Sequence, residues 1–132
     1  MDIHRQAEDS GTPAPEATFT GEVTISGYFR RGAPSRLVGA AVAFAPGART
    51  PWKTTTRGQT LVVTSGTGWA QVEGEAVAEI RVGDLVWCPP GPRHWEGARE
   101  DERMTYVAVQ EGDVAFGDAV TDAEYSAGRT AP

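Results

Sequence analysis

Between Phe19 and Gly112 no apolar or β-branched run goes far before a glycine, or proline with glycine, interrupts it. Turn residues recur about every eight to twelve positions, a spacing that suits short strands joined by tight turns and leaves little room for helices. The segment "FTGEVTISGYF" alternates and is β-branched, and "SRLVGAAVAFAPG" reads as a half-buried strand ending in a Pro46-Gly47 turn. "GQTLVVTSGTGWAQVEG" reads as two strands joined by a glycine turn around Gly66 and Gly68. "GEAVAEIRVGDLVWCPPG" holds two more strands, with turns at Gly74 and Gly83-Asp84, and "MTYVAVQEG" is a last clear one. The tail "FGDAVTDAEYSAGRTAP" has one helical turn with Thr121 or Asp122 as N-cap. The pattern predicts an all-β barrel or sandwich.

The chain of 132 residues suits one domain. Residues 1–17, with Gly11, Pro13 and Pro15, read as a flexible arm or edge strand, residues 18–112 as the barrel, and 113–132 as a tail packing on it. Twelve basic against eighteen acidic residues, a net charge of -6, argue against nucleic acid and against an anionic membrane surface. A single cysteine, Cys88, permits no internal disulfide, and the N-terminus shows no apolar leader, so a cytoplasmic location is the expectation.

Two spacings carry the chemistry. The first runs Gly47, five residues, Lys53, one residue, Thr55, three residues, Gln59, six residues, Gly66. The second runs Gly83, five residues, Pro89, one residue, Gly91, two residues, His94. Residues two apart on a strand share a face, so Lys53 and Thr55 point the same way, as do His94 and Glu96.

Together these spacings resemble the two motifs of the cupin family, in which the first reads Gly-five-His-one-His-three-Glu-six-Gly and the second Gly-five-Pro-one-Gly-two-His. Every gap, every glycine, the proline and the final histidine match, over about residues 20–112. The phrases "FAPGARTPW", "GQTLVVTSGTGWAQ", "GDLVWCPPGPRHWEGA" and "TDAEY", with Gln59 for the usual glutamate, are similar to small bacterial cupins of the manganese-dependent hydroxynitrile lyase type. The resemblance implies a double-stranded β-helix, or jelly-roll barrel, with a central site for a small-molecule substrate. It also implies a homodimer, with a swapped N-terminal strand as a family habit.

The departures define the chemistry. Of the four metal ligands that the resemblance implies, only Gln59 and His94 remain, whereas a catalytic metal site wants about three protein ligands and an open position. An ammonium at position 53 also repels a divalent ion. The expectation is therefore an enzyme of lyase, decarboxylase, isomerase or cyclase type with no metal cofactor, in which Lys53 stands in for the metal. As an ammonium, paired with Glu96, it stabilises an oxyanion or holds a carboxylate; as a neutral amine it serves as base or Schiff-base nucleophile. His94 is the candidate acid/base, and Thr55, Gln59 and Tyr106 are candidates to hydrogen-bond the substrate.

Ala40 and Val42, two apart on one strand, leave room for substrate. Gln110 faces inward with Tyr106 and Ala108, and Trp52 and Trp87 are candidates to border the pocket. Cys88 reads as buried and inert. Two alternatives stand beside this reading: a lyase whose manganese or iron is held by His94, Gln59 and Glu96, and a non-catalytic ligand-binding cupin. If the alignment is right, Lys53→His combined with Thr55→His brings metal uptake to about one ion per chain by elemental analysis; no uptake by that double variant would count against the alignment itself.

Overall fold

The structure, a computed structural model, describes residues 1–131. Its strands are β1 (Thr12–Pro13), β2 (Val23–Arg30), β3 (Leu37–Phe44), β4 (Lys53–Thr55), β5 (Gln59–Val72), β6 (Ala78–Arg81), β7 (Leu85–Cys88), β8 (His94–Ala98), β9 (Met104–Glu111) and β10 (Val114–Phe116). All pairings are antiparallel. They form one curled sheet whose path runs β1-β2-β3-β9-β5-β8-β4-β10, with β6 and β7 also on β5. Among the described residues no helix is long and apolar enough to cross a membrane.

Two strands expected on either side of Gly66 are one strand. The first half of β5 pairs with β9 and β7, and its second half pairs with β6 and β8. The register shifts between Val63 and Ser65, and Gly66 takes φ +74°. That bulge bends β5 from one half of the barrel into the other instead of reversing it. Gly66 also lies against its neighbour: a β-carbon there would come within 1.8 Å of the Arg103 carbonyl oxygen.

The alternation on β9 shows how the core is made. Met104, Tyr106, Ala108 and Gln110 are buried, while Thr105, Val107 and Val109 are only partly so. Across the strands Gln110 lies opposite Val38 and Gln59, Ala108 opposite Ala40 and Leu61, and Tyr106 opposite Val42 and Val63. Of these inward residues Met104, Tyr106, Ala108, Val42, Leu61 and Val63 join Phe44, Phe19 and Ile80 in the main core.

A second apolar cluster lies under the C-terminal segment and contains Trp52, Trp69, Trp95, Val120 and Tyr125. The helical turn α1 (Asp122–Ser126) has Thr121 as its N-cap, in a capping box with Glu124. Tyr125 donates to the Ala98 carbonyl at 2.6 Å, tying the tail onto β8. Because both its faces are covered, every residue of β8 is buried. The barrel does not close at residue 112, since β10 pairs with β4. At the other end the arm pairs with its own chain's β2, and the Asp9 carboxylate accepts from the backbone N–H groups of Gly11 and Gly27, both at 2.9 Å.

Gly66 and Gly74 both have positive φ, but a β-carbon on Gly74 meets nothing within 4 Å. Gly74→Ala is expected to cost about 1–2 kcal/mol, the left-handed penalty alone. Gly66→Ala adds a backbone collision and is expected to cost at least about 2 kcal/mol more, read from urea denaturation midpoints.

Candidate active site

β4 and β8 meet at one register pair, Lys53 opposite His94. Inward parity then places Thr55 two residues on from Lys53, and Glu96 two on from His94. Gln59 opens β5, and Tyr106 and Gln110 come from β9. Lys53, Thr55, Gln59, His94, Glu96, Tyr106 and Gln110 are all buried, with Glu96 fully so.

Lys53 is the hub. Its Nζ donates to Glu96 Oε1 at 2.6 Å and to Gln59 Oε1 at 2.9 Å, and lies 3.5 Å from the Tyr106 hydroxyl. Tyr106 donates to the same Glu96 oxygen at 2.8 Å. Gln59 Nε2 donates to Gln110 Oε1 at 3.0 Å, which leaves Gln59 Oε1 facing Lys53. His94 Nε2 is 3.1 Å from Gln59 Oε1 and 3.5 Å from Glu96 Oε2. Both neighbours are acceptors, so Nε2 carries the proton.

The electrostatics follow from burial and from this one ion pair. Burial, the largest single influence, pushes the Glu96 carboxyl up. The charges of Lys53 and His94 and the hydrogen bonds from Lys53 and Tyr106 together outweigh it, so the group lies below the usual glutamate value. Burial lowers His94 below the ordinary 6.5, against the pull of Glu96. Burial and then the Glu96 charge hold Tyr106 well above 10.

An open cavity of about 340 Å³ reaches this cluster. Its inner end is polar, made by Lys53, Gln59, Tyr106 and Gln110. Its walls are mostly apolar, with Phe19, Ile25, Val38, Val42 and Phe116 prominent, and Ala40 and Ala108 add little bulk. Tyr28 and Asp113 also border it, and Asp113 is ion-paired with Arg30.

Several expected positions differ. Trp87 does not border the cavity: Val86 and Cys88 face inward on β7, so Leu85 and Trp87 face out, and Trp87 is 59% exposed. Its ring lies across Gly58, where a β-carbon would come within 2.1 Å of it. Trp52 does not border it either. It precedes Lys53 and so takes the opposite face, where it donates to Glu124 at 3.2 Å and stacks under Arg93. Thr55 is buried with Oγ1 unpartnered, but it lies outside the cavity lining. His94 and Glu96 do not line the cavity and adjoin it through Gln59 and Lys53, so the geometry offers His94 no direct contact with a ligand there.

Cys88 was missing from the expected constellation. It pairs in register with Gln59, and its Sγ lies with ligand atoms of His94 and Glu96 all within 4.8 Å of one another. The signal was strand parity from Trp87, which sequence alone could not orient. By distance the trio could hold a metal ion. Its chemistry does not fit one while Lys53 is an ammonium on the same carboxylate. Burial, and then the Glu96 charge, also hold the Cys88 thiol up to about 12, in the protonated form that does not ligate.

A depressed folded-state Glu96 value means stability that is complete above the unfolded value of 4.5 and is lost as pH falls through the folded one. His94, held neutral by burial, adds a loss that begins as pH drops below 6.5. Urea midpoints are therefore expected to fall from pH 7 to pH 3, and Glu96→Gln removes the part below 4.5. At pH 7, Lys53→Met alone strands a buried carboxylate and costs about 3–5 kcal/mol, whereas Lys53→Met with Glu96→Gln recovers most of that loss.

The sequence matches the Cupin_2 family, described as a cupin domain, over residues 40–119. It is 46% identical over 129 residues to an (R)-mandelonitrile lyase of Granulicella tundricola, covering 95% of this chain and 98% of that protein. In structure it is similar to a cupin-like protein of Thermotoga maritima, with a TM-score of 0.83, 30% identity and 96% of each chain covered. A polyketide cyclase of Streptomyces resistomycificus shares the fold at a TM-score of 0.71 and 13% identity, over 96% of this chain and 91% of that one. With its motif spacings, its curled antiparallel barrel and these relatives in agreement, the chain belongs to the cupin family.

Proposed function

We propose that this protein is a metal-independent lyase that breaks or forms a carbon–carbon bond next to a carbonyl in a small, largely apolar molecule. The observation that carries the reading is Lys53 Nζ, buried at the polar end of an apolar cavity and paired with Glu96 at 2.6 Å. The relative named (R)-mandelonitrile lyase supports a hydroxynitrile as substrate.

The substrate's hydroxyl oxygen meets Lys53 at the cavity end, with Tyr106 beside it and the rest of the molecule against Phe19, Ile25 and Val42. As the carbon–carbon bond breaks, its electron pair leaves with the nitrile carbon. The hydroxyl proton passes to Nζ while Nζ hands one to Glu96 Oε1. The new carbonyl oxygen rests on the ammonium, the cyanide takes a proton from Nζ, and Nζ recovers one from Glu96 Oε1, so the enzyme ends as it began. Lys53 supplies the positive charge that a metal supplies elsewhere. His94 is a positioning residue in this scheme, since its Nε2–H holds the Gln59 oxygen that in turn accepts from Lys53. The homodimer has a candidate face in the exposed Leu85 and Trp87.

The test is turnover of mandelonitrile to benzaldehyde by wild type and Lys53→Met, with folding checked by circular dichroism. Loss of one such electrostatic group is expected to lower kcat/KM about 10²–10³-fold. Undiminished activity in a folded Lys53→Met would sink the lysine mechanism. Tight ligand retention with no product would favour a binding module. Untagged protein grown with manganese, iron and zinc is expected to carry far less than one ion per chain; a stoichiometric metal would move the Cys88, His94 and Glu96 cluster to first place.

A further inference from the structure

The charge of the cavity is decided by a residue that does not line it. Lys53 and Asp113 are the charged groups among the described lining residues, and Asp113 is already paired with Arg30. The positive charge of Lys53 is met by Glu96, fully buried behind it at 2.6 Å. The ammonium also has few donors to spare. Its two good hydrogen bonds go to Glu96 and Gln59, and the third contact, to Tyr106 at 3.5 Å, is long enough for a ligand oxygen to replace. Of the other polar groups at this end, Gln59 Nε2 is engaged with Gln110 and the Tyr106 hydroxyl with Glu96, while Gln110 Nε2, a neutral donor, has only a 3.5 Å contact to the Gly112 carbonyl.

From this arrangement we infer that Glu96 is a specificity-determining residue: as an internal counterion it neutralises Lys53, so that the cavity takes uncharged carbonyl or hydroxyl compounds and rejects carboxylates. An entering anion meets a lysine whose charge is already balanced, with a second carboxylate only one residue's width behind it. A single neutral oxygen meets one available N–H and needs no more. The repulsion acts at short range at the buried end of the cavity, where charges are screened less than at a surface. Discrimination of this kind works by penalising the wrong ligand rather than by tightening the right one.

This deepens the proposed function, since it rests on the Lys53 end of the cavity being where ligand binds. The experiment is nevertheless independent of turnover. Benzamide and benzoate have nearly the same shape and differ in charge, so their dissociation constants, measured by isothermal titration calorimetry at pH 7, report the charge preference alone. Wild type is expected to bind benzamide at least about tenfold more tightly than benzoate. Glu96→Gln, which keeps an acceptor for Lys53 and Tyr106 but removes the negative charge, is expected to invert that order. If Glu96→Gln does not fold, the wild-type ratio decides by itself.

Wild type preferring benzoate overturns the inference. An unchanged ratio in folded Glu96→Gln overturns it as well, as does failure of both probes to bind either protein. A chain that cleaves mandelonitrile yet prefers benzoate refutes the charge filter and leaves the lyase reading intact. One that is inactive yet shows the inversion refutes the lyase reading and leaves the filter.

Discussion

A buried ammonium on a buried carboxylate governs this molecule. Removing either charge from water is unfavourable by several kcal/mol, and their attraction compensates only when the geometry is tight and the remaining donors and acceptors are met. Here the pair is 2.6 Å apart, Gln59 accepts from the ammonium and Tyr106 donates to the same Glu96 oxygen, while the second carboxylate oxygen has no hydrogen bond and only His94, at 3.5 Å, beside it. Those residues come from β4, β5, β8 and β9, so the pair holds strands from both halves of the barrel at one point. The bend in β5 is what makes this possible. Gln59 belongs to its first half, beside Gln110, while Ala70 in its second half lies opposite Glu96.

The second apolar cluster gives that point a rigid backing. Trp95 lies between His94 and Glu96 in sequence and faces the other way, into Trp69 and Tyr125. The buried Arg49 guanidinium donates to the Val120 carbonyl and to Asp122 and stacks over Tyr125. Locking β8 from outside fixes the directions of the two side chains it sends inward, which a loop could not do as well.

Within a shared fold the chemistry rests on a few inward positions. A histidine-rich cluster suits a divalent ion, because neutral imidazoles donate electron pairs and add no charge. Lys53 and Glu96 bring their own positive and negative charges and leave the centre neutral. Under the proposed lyase function, a substrate meets a single, oriented N–H donor in place of a metal's open coordination positions.

The barrel class, the turns at Pro46-Gly47, Gly74 and Gly83-Asp84 and the helical cap at Thr121 could be read from the chain, because strand alternation, glycine spacing and capping are local rules; parity paired Lys53 with Thr55 and His94 with Glu96, and the cupin resemblance implied that they converge. The Lys53–Glu96 pairing was legible too, since opposite charges converging in one barrel must meet. What no local rule contained was any quantity that depends on which face a strand turns to the core, or on what covers it. The glycines around Gly66 and Gly68 read as a turn between two strands, and only β8 and β9 on either side of β5 decide for a bend. Trp52 and Trp87 suit a pocket wall by composition, yet the parity of their neighbours sends both outward. Cys88 joins His94 and Glu96 only because β7 packs beside Gln59. Amino-acid order thus determined which residues point together along each strand. Tertiary packing decided which groups lie at the cavity and which lie behind it, because depth is set by the strands that fold over a residue and not by the residue itself.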